Sequence, residues 1–154
     1  MTQLFDVEVF GIQPVLGAQQ WAQNHSVGTF HQTDGMNLDW IPDNTFDHFY
    51  SFAVVFYIPK AKICKFVLQV LRTLKPGGSA LFGWLNGIYG QSAGVIPKAA
   101  WSCVHDLREH ADIDIIDDKF NWDFDTRVNQ DTISNTGSHS IWIRKLRDPT
   151  MQQR

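Results

Sequence analysis

Apolar residues recur along this chain in two rhythms, one with a period near two and one with a period near 3.6. Phe5-Asp-Val-Glu-Val-Phe10 alternates in character and is β-branched or aromatic, which predicts a short strand. Gly11-Ile12-Gln13-Pro14 ends it, and Pro14 suits the first position of a helix. Val15, Leu16, Ala18, Trp21 and Ala22 then form an apolar stripe at helical spacing that dies near Asn24. Val27 to Thr33 predicts a second strand, followed by a polar loop from Asp34 to Asn44. The run from Phe46 to Phe56 is too apolar for a surface strand and predicts one covered by helices on both faces. Pro59 opens a helix with Ile63, Phe66, Val67, Val70, Leu71 and Leu74 on its apolar side. Lys75-Pro76-Gly77-Gly78 stops it, since Pro cannot continue a helix and Gly supplies a left-handed cap. Ser79 to Trp84 predicts the next strand, and Gly87, Gly90 and Gly94 mark a loop before a helix from Pro97 to about His110. Two strands, Ile113–Ile116 and Ser140–Arg144, close the pattern, and the polar stretch after Leu146 predicts a frayed tail.

Strand and helix alternate up to His110, which implies an α/β fold with a parallel sheet and an antiparallel edge at the end. At 154 residues, 44% of them hydrophobic and 19% charged, the chain is long enough for one packed domain, expected over 1–147 with 148–154 as a disordered tail. Thirteen basic against sixteen acidic residues, with no basic stripe, argue against a nucleic-acid binder. Asp6 and Glu8 interrupt any signal-peptide core, and the longest apolar run, Phe52 to Ile58, is far shorter than a membrane span. The expectation is a soluble, cytoplasmic protein that does not engage a membrane. Cys64 and Cys103 lie far apart with no CxxC partner, which speaks against a zinc knuckle or disulfide scaffold and predicts small apolar helix residues. The histidines, including His105 and His110, show no metal-ligand spacing, so no metal site is expected.

Three stretches in a fixed order carry a more specific signal: Thr45-Phe46-Asp47-His48-Phe49-Tyr50-Ser51, then Val70-Leu71-Arg72-Thr73-Leu74-Lys75-Pro76-Gly77-Gly78, then Ser79-Ala80-Leu81-Phe82-Gly83. In order and spacing they resemble the class I S-adenosylmethionine-dependent methyltransferases, type 11 in particular, where an "FD" strand precedes a helix ending in "LKPGG". Gly11-Ile12-Gln13-Pro14 resembles the end of that family's second strand, and Thr33-Asp34-Gly35-Met36-Asn37-Leu38 its loop after the third. The resemblance covers Val7 to about Leu146. It implies a Rossmann-like three-layer α/β sandwich with strand order three-two-one-four-five-seven-six, mostly parallel with an antiparallel C-terminal strand.

The same resemblance implies S-adenosylmethionine as cofactor and a small-molecule methyl acceptor. Ligands of such sheets bind at the carboxyl ends of the strands. By position, Gln13 would take the ribose hydroxyls, Asp34 the adenine amino group, and the Gly35 backbone N–H a ring nitrogen. Ile12 and Met36 would sandwich the adenine, and Ser51 with Phe52 would face the methionine end. No catalytic residue follows, because aligning donor with acceptor and excluding water can suffice; His48 and Tyr57 are the nearby titratable groups. Trp84 and Asn86 leave the fifth strand on the substrate side. Plainer readings stand beside these: Asp34 as a loop cap, Gln13 as a helix-entry residue, Asp47 as an anchor for the strand start or a neighbouring amide, and LKPGG as a helix stop.

Two departures qualify the resemblance. Gln13 stands where the family carries an acid, and a neutral amide accepts more weakly than a carboxylate. No glycine-rich loop of the form Asp/Glu-x-Gly-x-Gly-x-Gly precedes the second strand, so the chain reads as N-terminally truncated, without the family's first and central strand. The second strand would then pair directly with the fourth, or the sheet would lack a centre. Cofactor binding is accordingly expected to be weak or absent. Two readings of function stay open: a small-molecule methyltransferase, inactive if truncation removes the site, or a non-catalytic remnant serving as scaffold or regulatory partner. Open strand edges also predict self-association.

Overall fold

The computed structural model describes residues 7–52, 54, 58–85, 95–110, 112–118 and 138–149. Within them the elements are β1 (Phe10–Gln13), α1 (Leu16–His25), β2 (Thr29–Gln32), β3 (Phe46–Phe52), a 3-10 turn (Lys60–Lys62), α2 (Ile63–Thr73), β4 (Leu74–Leu85), α3 (Val95–Glu109), β5 (Ile113–Asp118) and β6 (Ser138–Lys145). They fall into two compact units, Met1–Leu38 and Asp39–Arg154.

In the first unit β1 and β2 run parallel, from Phe10 opposite Thr29 to Gln13 opposite Gln32. The first strand therefore sits later than its alternation predicts, and Gly11-Ile12-Gln13 lies inside it rather than ending it. The Thr29 N–H donates to the Val9 carbonyl at 2.9 Å, so pairing begins only there. The stripe predicted for α1 packs only in part: the helix buries no residue, Ala18 and Ala22 are half-buried, and Val15, Leu16 and Trp21 are exposed. Two glutamines one turn apart add polar docking. Gln23 Oε1 accepts from the Phe30 N–H at 3.0 Å, and Gln19 Nε2 donates to the Phe30 carbonyl at 2.6 Å. Both backbone groups of Phe30 are satisfied by α1, which blunts that edge of the strand.

In the second unit the sheet order is β3-β4-β6-β5; β3 and β4 pair in parallel, and β6 runs antiparallel to both its neighbours. This gives three strands running one way and an antiparallel C-terminal strand, as expected. Compared with the order the resemblance implies, the two ladders supply three-two and four-five-seven-six. Among the described residues β1 and β3 belong to different sheets, so the second strand does not pair with the fourth.

Ile63, Phe66, Val67, Val70 and Leu71 of α2 and Val104 and Leu107 of α3 are buried with Ala80, Phe82, Ile113, Ile141 and Ile143 of the sheet. Phe49 reaches this core through Phe66 and Phe82, at centroid distances of 6.2 and 5.6 Å. The other sheet face differs from expectation. Rather than being covered on both sides, β3 buries only Ser51, and Tyr50 is 67% exposed. Register places Tyr50 opposite Leu81 and Leu81 opposite Trp142, and Phe52 and Trp142 are exposed as well. The physical reason is position: β3 ends its sheet, and only the core-side face carries helices of this unit among the described residues.

The end of α2 also departs from the glycine cap. Its cap residue Leu74 is extended (φ −77°, ψ 141°), and Lys75 to Gly78 already belong to β4. Lys75, the residue before Pro76, is kept from helical backbone, so the helix could run at most one residue past Thr73. No left-handed cap is needed, because the last carbonyls have tertiary donors. The Arg72 carbonyl accepts from the Asn44 N–H at 3.0 Å, that of Thr73 from the Thr45 N–H at 2.7 Å, and that of Leu74 from Lys145 Nζ at 2.7 Å.

Candidate cofactor site

Parallel pairing brings the carboxyl ends of β1 and β2 side by side, and the chain leaving each carries most of the polar residues singled out by sequence. The Thr33 N–H donates to the Gln13 carbonyl at 3.4 Å, so Ile12 and Gln13 adjoin the loop that starts at Thr33. Ile12 and Gln13 are half-buried, as are Gly35 and Met36. The side-chain amide of Gln13 has no hydrogen-bond partner among the described residues.

The loop holds itself in shape. Asp34 Oδ1 accepts from the N–H groups of Met36 and Asn37, both at 2.9 Å, the geometry of an Asx turn. The Gly35 N–H donates to Thr33 Oγ1 at 3.0 Å, and Gly35 takes the left-handed conformation (φ 73°) that the turn requires. The loop-cap reading of Asp34 thus describes one of its oxygens. The Gly35 N–H, expected to meet an adenine nitrogen, is occupied by Thr33.

The sixth residue, Ser51, belongs to the second unit. It lies one residue from the carboxyl end of β3, opposite Phe82, and is 7% exposed with no hydrogen-bond partner for its hydroxyl among the described residues. Beside it the Phe52 ring lies over Gly83, where an added Cβ would stand 2.3 Å from Phe52 Cδ2, and Tyr50 stacks near Phe52 at 6.5 Å. His48 lies within β3, not at its end, and its Nδ1 meets Ser79 Oγ at 3.0 Å.

At the other end of β3 the "FD" and "LKPGG" motifs meet. Lys75 Nζ donates to both carboxylate oxygens of Asp47, at 2.9 Å each. That ammonium is the main cause holding the Asp47 carboxyl below its ordinary 3.8. Gly78 lies against the backbone of the same strand: a Cβ there would be 2.9 Å from the Asp47 carbonyl oxygen and 3.4 Å from that of Phe46. The two motifs are a structural clasp between β3 and the turn into β4, and Asp47 anchors the strand start as expected, through an ammonium rather than an amide.

The profile of the type 11 methyltransferase domain matches residues 1–82, more than half of the 154. This chain belongs to the class I S-adenosylmethionine-dependent methyltransferases. No curated protein matches the sequence significantly. Among solved structures, an S-adenosylmethionine-dependent methyltransferase from Mesorhizobium loti is similar at 13% identity and a TM-score of 0.59, over 90% of this chain and 80% of that one. A methyltransferase from Methanosarcina mazei gives 14% and 0.59, over 91% and 82%. The [4+2]-cyclase SpnF gives 15% and 0.63, over 92% and 68%. These likenesses establish the Rossmann-like fold. That one of them is a cyclase shows that the fold alone does not name the reaction.

In this methyltransferase-family chain, the structure places Ile12, Gln13, Asp34, Gly35 and Met36 together at one end of the first unit, and Ser51 near the matching end of a strand in the second. Tyr57, Asn86, Gly87 and Gly90 lie outside the described residues, as does Gly94. One feature escaped the sequence altogether: Cys64 and Cys103 form a disulfide, with Cα atoms 5.5 Å apart. The absence of a CxxC motif pointed away from it, yet each cysteine adjoins a core position, Ile63 in α2 and Val104 in α3. Adjoining positions on two helices that pack together were the available signal. No helix among the described residues is long and apolar enough to cross a membrane.

Proposed function

We propose that the chain is a cytoplasmic S-adenosylmethionine-dependent methyltransferase acting on a small-molecule acceptor, with residues 1–147 working as one domain. The observation that carries this is the unpartnered Gln13 amide beside the Thr33–Asn37 loop, at the carboxyl end of a parallel pair, where α/β sheets take their ligands. The donor set fits an adenosine. Gln13 accepts from and donates to ribose hydroxyls, and Ile12 and Met36 offer apolar contact to the two faces of the base. Asp34 stays a loop cap through Oδ1. The Gly35 N–H reaches a ring nitrogen once it exchanges its bond to Thr33. For Ser51, in the second unit, the amino-acid end is the role the family resemblance implies, and its hydroxyl has no hydrogen-bond partner among the described residues. When bound, the cofactor supplies the electrophilic methyl; the chain orients it and keeps water away. With Gln13 in place of an acid, affinity is lower than in relatives that carry one.

A second reading is a non-catalytic partner of another protein. The row of exposed Tyr50, half-buried Leu81 and exposed Trp142, continued by exposed Phe52, favours it, since apolar patches on a sheet face recruit partners or further copies.

Isothermal titration of the chain with S-adenosylmethionine decides between them, followed by assay of the demethylated product with small acceptors. Micromolar binding that Gln13→Ala weakens supports the methyltransferase. Absence of heat, together with a concentration-dependent increase in mass that Tyr50→Lys abolishes, supports the partner.

A further inference from the structure

Cys64 lies in the first turn of α2 and Cys103 just past the middle of α3, 39 residues on. Among the described residues their disulfide is the one covalent link outside the backbone. We propose that it is a reversible redox switch, tying α3 to the start of α2 when oxidised and releasing the first half of α3 when reduced by a dithiol.

Three observations support this. Access is asymmetric: Cys64 is half-buried, whereas Cys103 is 3% exposed, so an incoming thiolate reaches the Cys64 sulfur. Apolar packing does not depend on the bond. Ile63, Phe66, Val67, Val70 and Leu71 of α2 and Val104 and Leu107 of α3 are buried on their own account and keep the later half of α3 in place in either state. Finally, the bond joins the two helices that follow β3 and β4 in chain order, α2 and α3, and sheets of this class take their ligands at the carboxyl ends of such strands. An effect on cofactor binding therefore rests on the function proposed above; the opening of α3 does not.

The chemistry is ordinary thiol–disulfide exchange. A thiolate of the dithiol attacks Cys64 Sγ, the S–S bond breaks, and its electron pair leaves on Cys103 Sγ, which takes a proton. The second thiol of the reductant then displaces Cys64 in the same way. The chain gains two electrons and two protons, and the dithiol becomes a disulfide.

Amide hydrogen exchange of the whole chain, oxidised with glutathione disulfide or reduced with dithiothreitol, tests the switch. Alkylation and mass measurement report the bond in each sample. Reduction is expected to raise exchange over residues 95–102 by about tenfold or more while residues 104–109, β4 and β6 stay within about twofold. The Cys64→Ser/Cys103→Ser variant should show the fast pattern in both buffers, and reoxidation of the parent should restore the slow one. Alkylation of both thiols after oxidation, unchanged exchange in α3, or loss of protection throughout the chain on reduction would each overturn the proposal. S-adenosylmethionine titrated into both samples should bind at least about fivefold more weakly to the reduced chain. If neither sample binds it, the methyltransferase reading fails and the exchange result still judges the switch.

Discussion

Lys75, just past the end of α2, closes a two-point ion pair on Asp47, the second residue of β3, at 2.9 Å to each carboxylate oxygen. The pair crosses 28 residues of sequence, so it ties the strand start to the turn that follows the helix. Both partners are substantially exposed, at 47% and 69%, and the tie sets register more than it adds stability.

Its pH dependence has a definite sign. The ammonium depresses the Asp47 carboxyl below 3.8, so its contribution is fully present above that value and disappears as pH falls through the lower folded-state value. Asp47→Asn should therefore lower the melting temperature slightly at neutral pH, with the gap closing below about pH 3.8. Thermal melts of parent and variant across that range check it; a gap that persists into acid would mean that Asp47 acts through something other than its charge.

The two glycines of the motif make separable demands. Gly78 is hemmed by backbone, with the Asp47 and Lys75 carbonyl oxygens each 2.9 Å from where a Cβ would stand, and backbone cannot swing aside as a side chain can. Gly77 has open space but a left-handed backbone (φ 84°). Gly78→Ala should cost about 1–3 kcal/mol by overpacking, and Gly77→Ala about 1–2 kcal/mol by backbone strain. Asn, which tolerates left-handed backbone, should recover most of the loss at position 77 and none at 78. Urea denaturation of the four variants reads this directly.

How legible the fold was in the sequence depended on whether partners were near. Helix α2 was readable because Ile63, Phe66, Val67, Val70 and Leu71 repeat at the helical period and all pack inward. The C-terminal strands were readable for the same local reason, with boundaries off by a few residues. Helix α1 misled in part: Ala18 and Ala22 of its stripe are half-buried, but Val15, Leu16 and Trp21 are exposed, and Gln19 and Gln23 dock the helix through polar bonds. The covering of β3 misled as well: apolar content cannot say whether a second layer is present over Tyr50 and Phe52. At the candidate site, the grouping of Ile12 and Gln13 with Asp34, Gly35 and Met36 followed from motif order. The internal bond of the Gly35 N–H to Thr33 and the pairing of Cys64 with Cys103 depend on side-chain geometry that no one-dimensional pattern carries.

Lys145 presents a buried charge with every donor engaged. Its Nζ donates to the Leu74 carbonyl at 2.7 Å and to Asn44 Oδ1 at 2.9 Å, and pairs with Asp148 at 2.7 Å, while its side chain is fully buried. Lys145→Met keeps the packing volume but strands the Leu74 carbonyl and the Asn44 oxygen, and should cost about 2–4 kcal/mol. Asp148→Ala removes a partner that is 71% exposed, and should cost less than about 1 kcal/mol. Equal losses in denaturant would mean that the ion pair, not the two neutral acceptors, holds the lysine.

Gln13 gives the sharpest reading of the cofactor site, because its amide can be made acidic without changing shape. A carboxylate accepts from ribose hydroxyls about 1–2 kcal/mol more strongly than a neutral amide, so Gln13→Glu should tighten S-adenosylmethionine binding by about 5–30-fold. The side chain has no hydrogen-bond partner among the described residues, so the same substitution should leave the melting temperature of the ligand-free chain nearly unchanged. Titration and thermal melts on the same samples separate the two effects. Tighter binding at constant stability is the signature of a ribose contact. An unchanged affinity would remove Gln13 from the site, and with it the observation on which the methyltransferase reading stands.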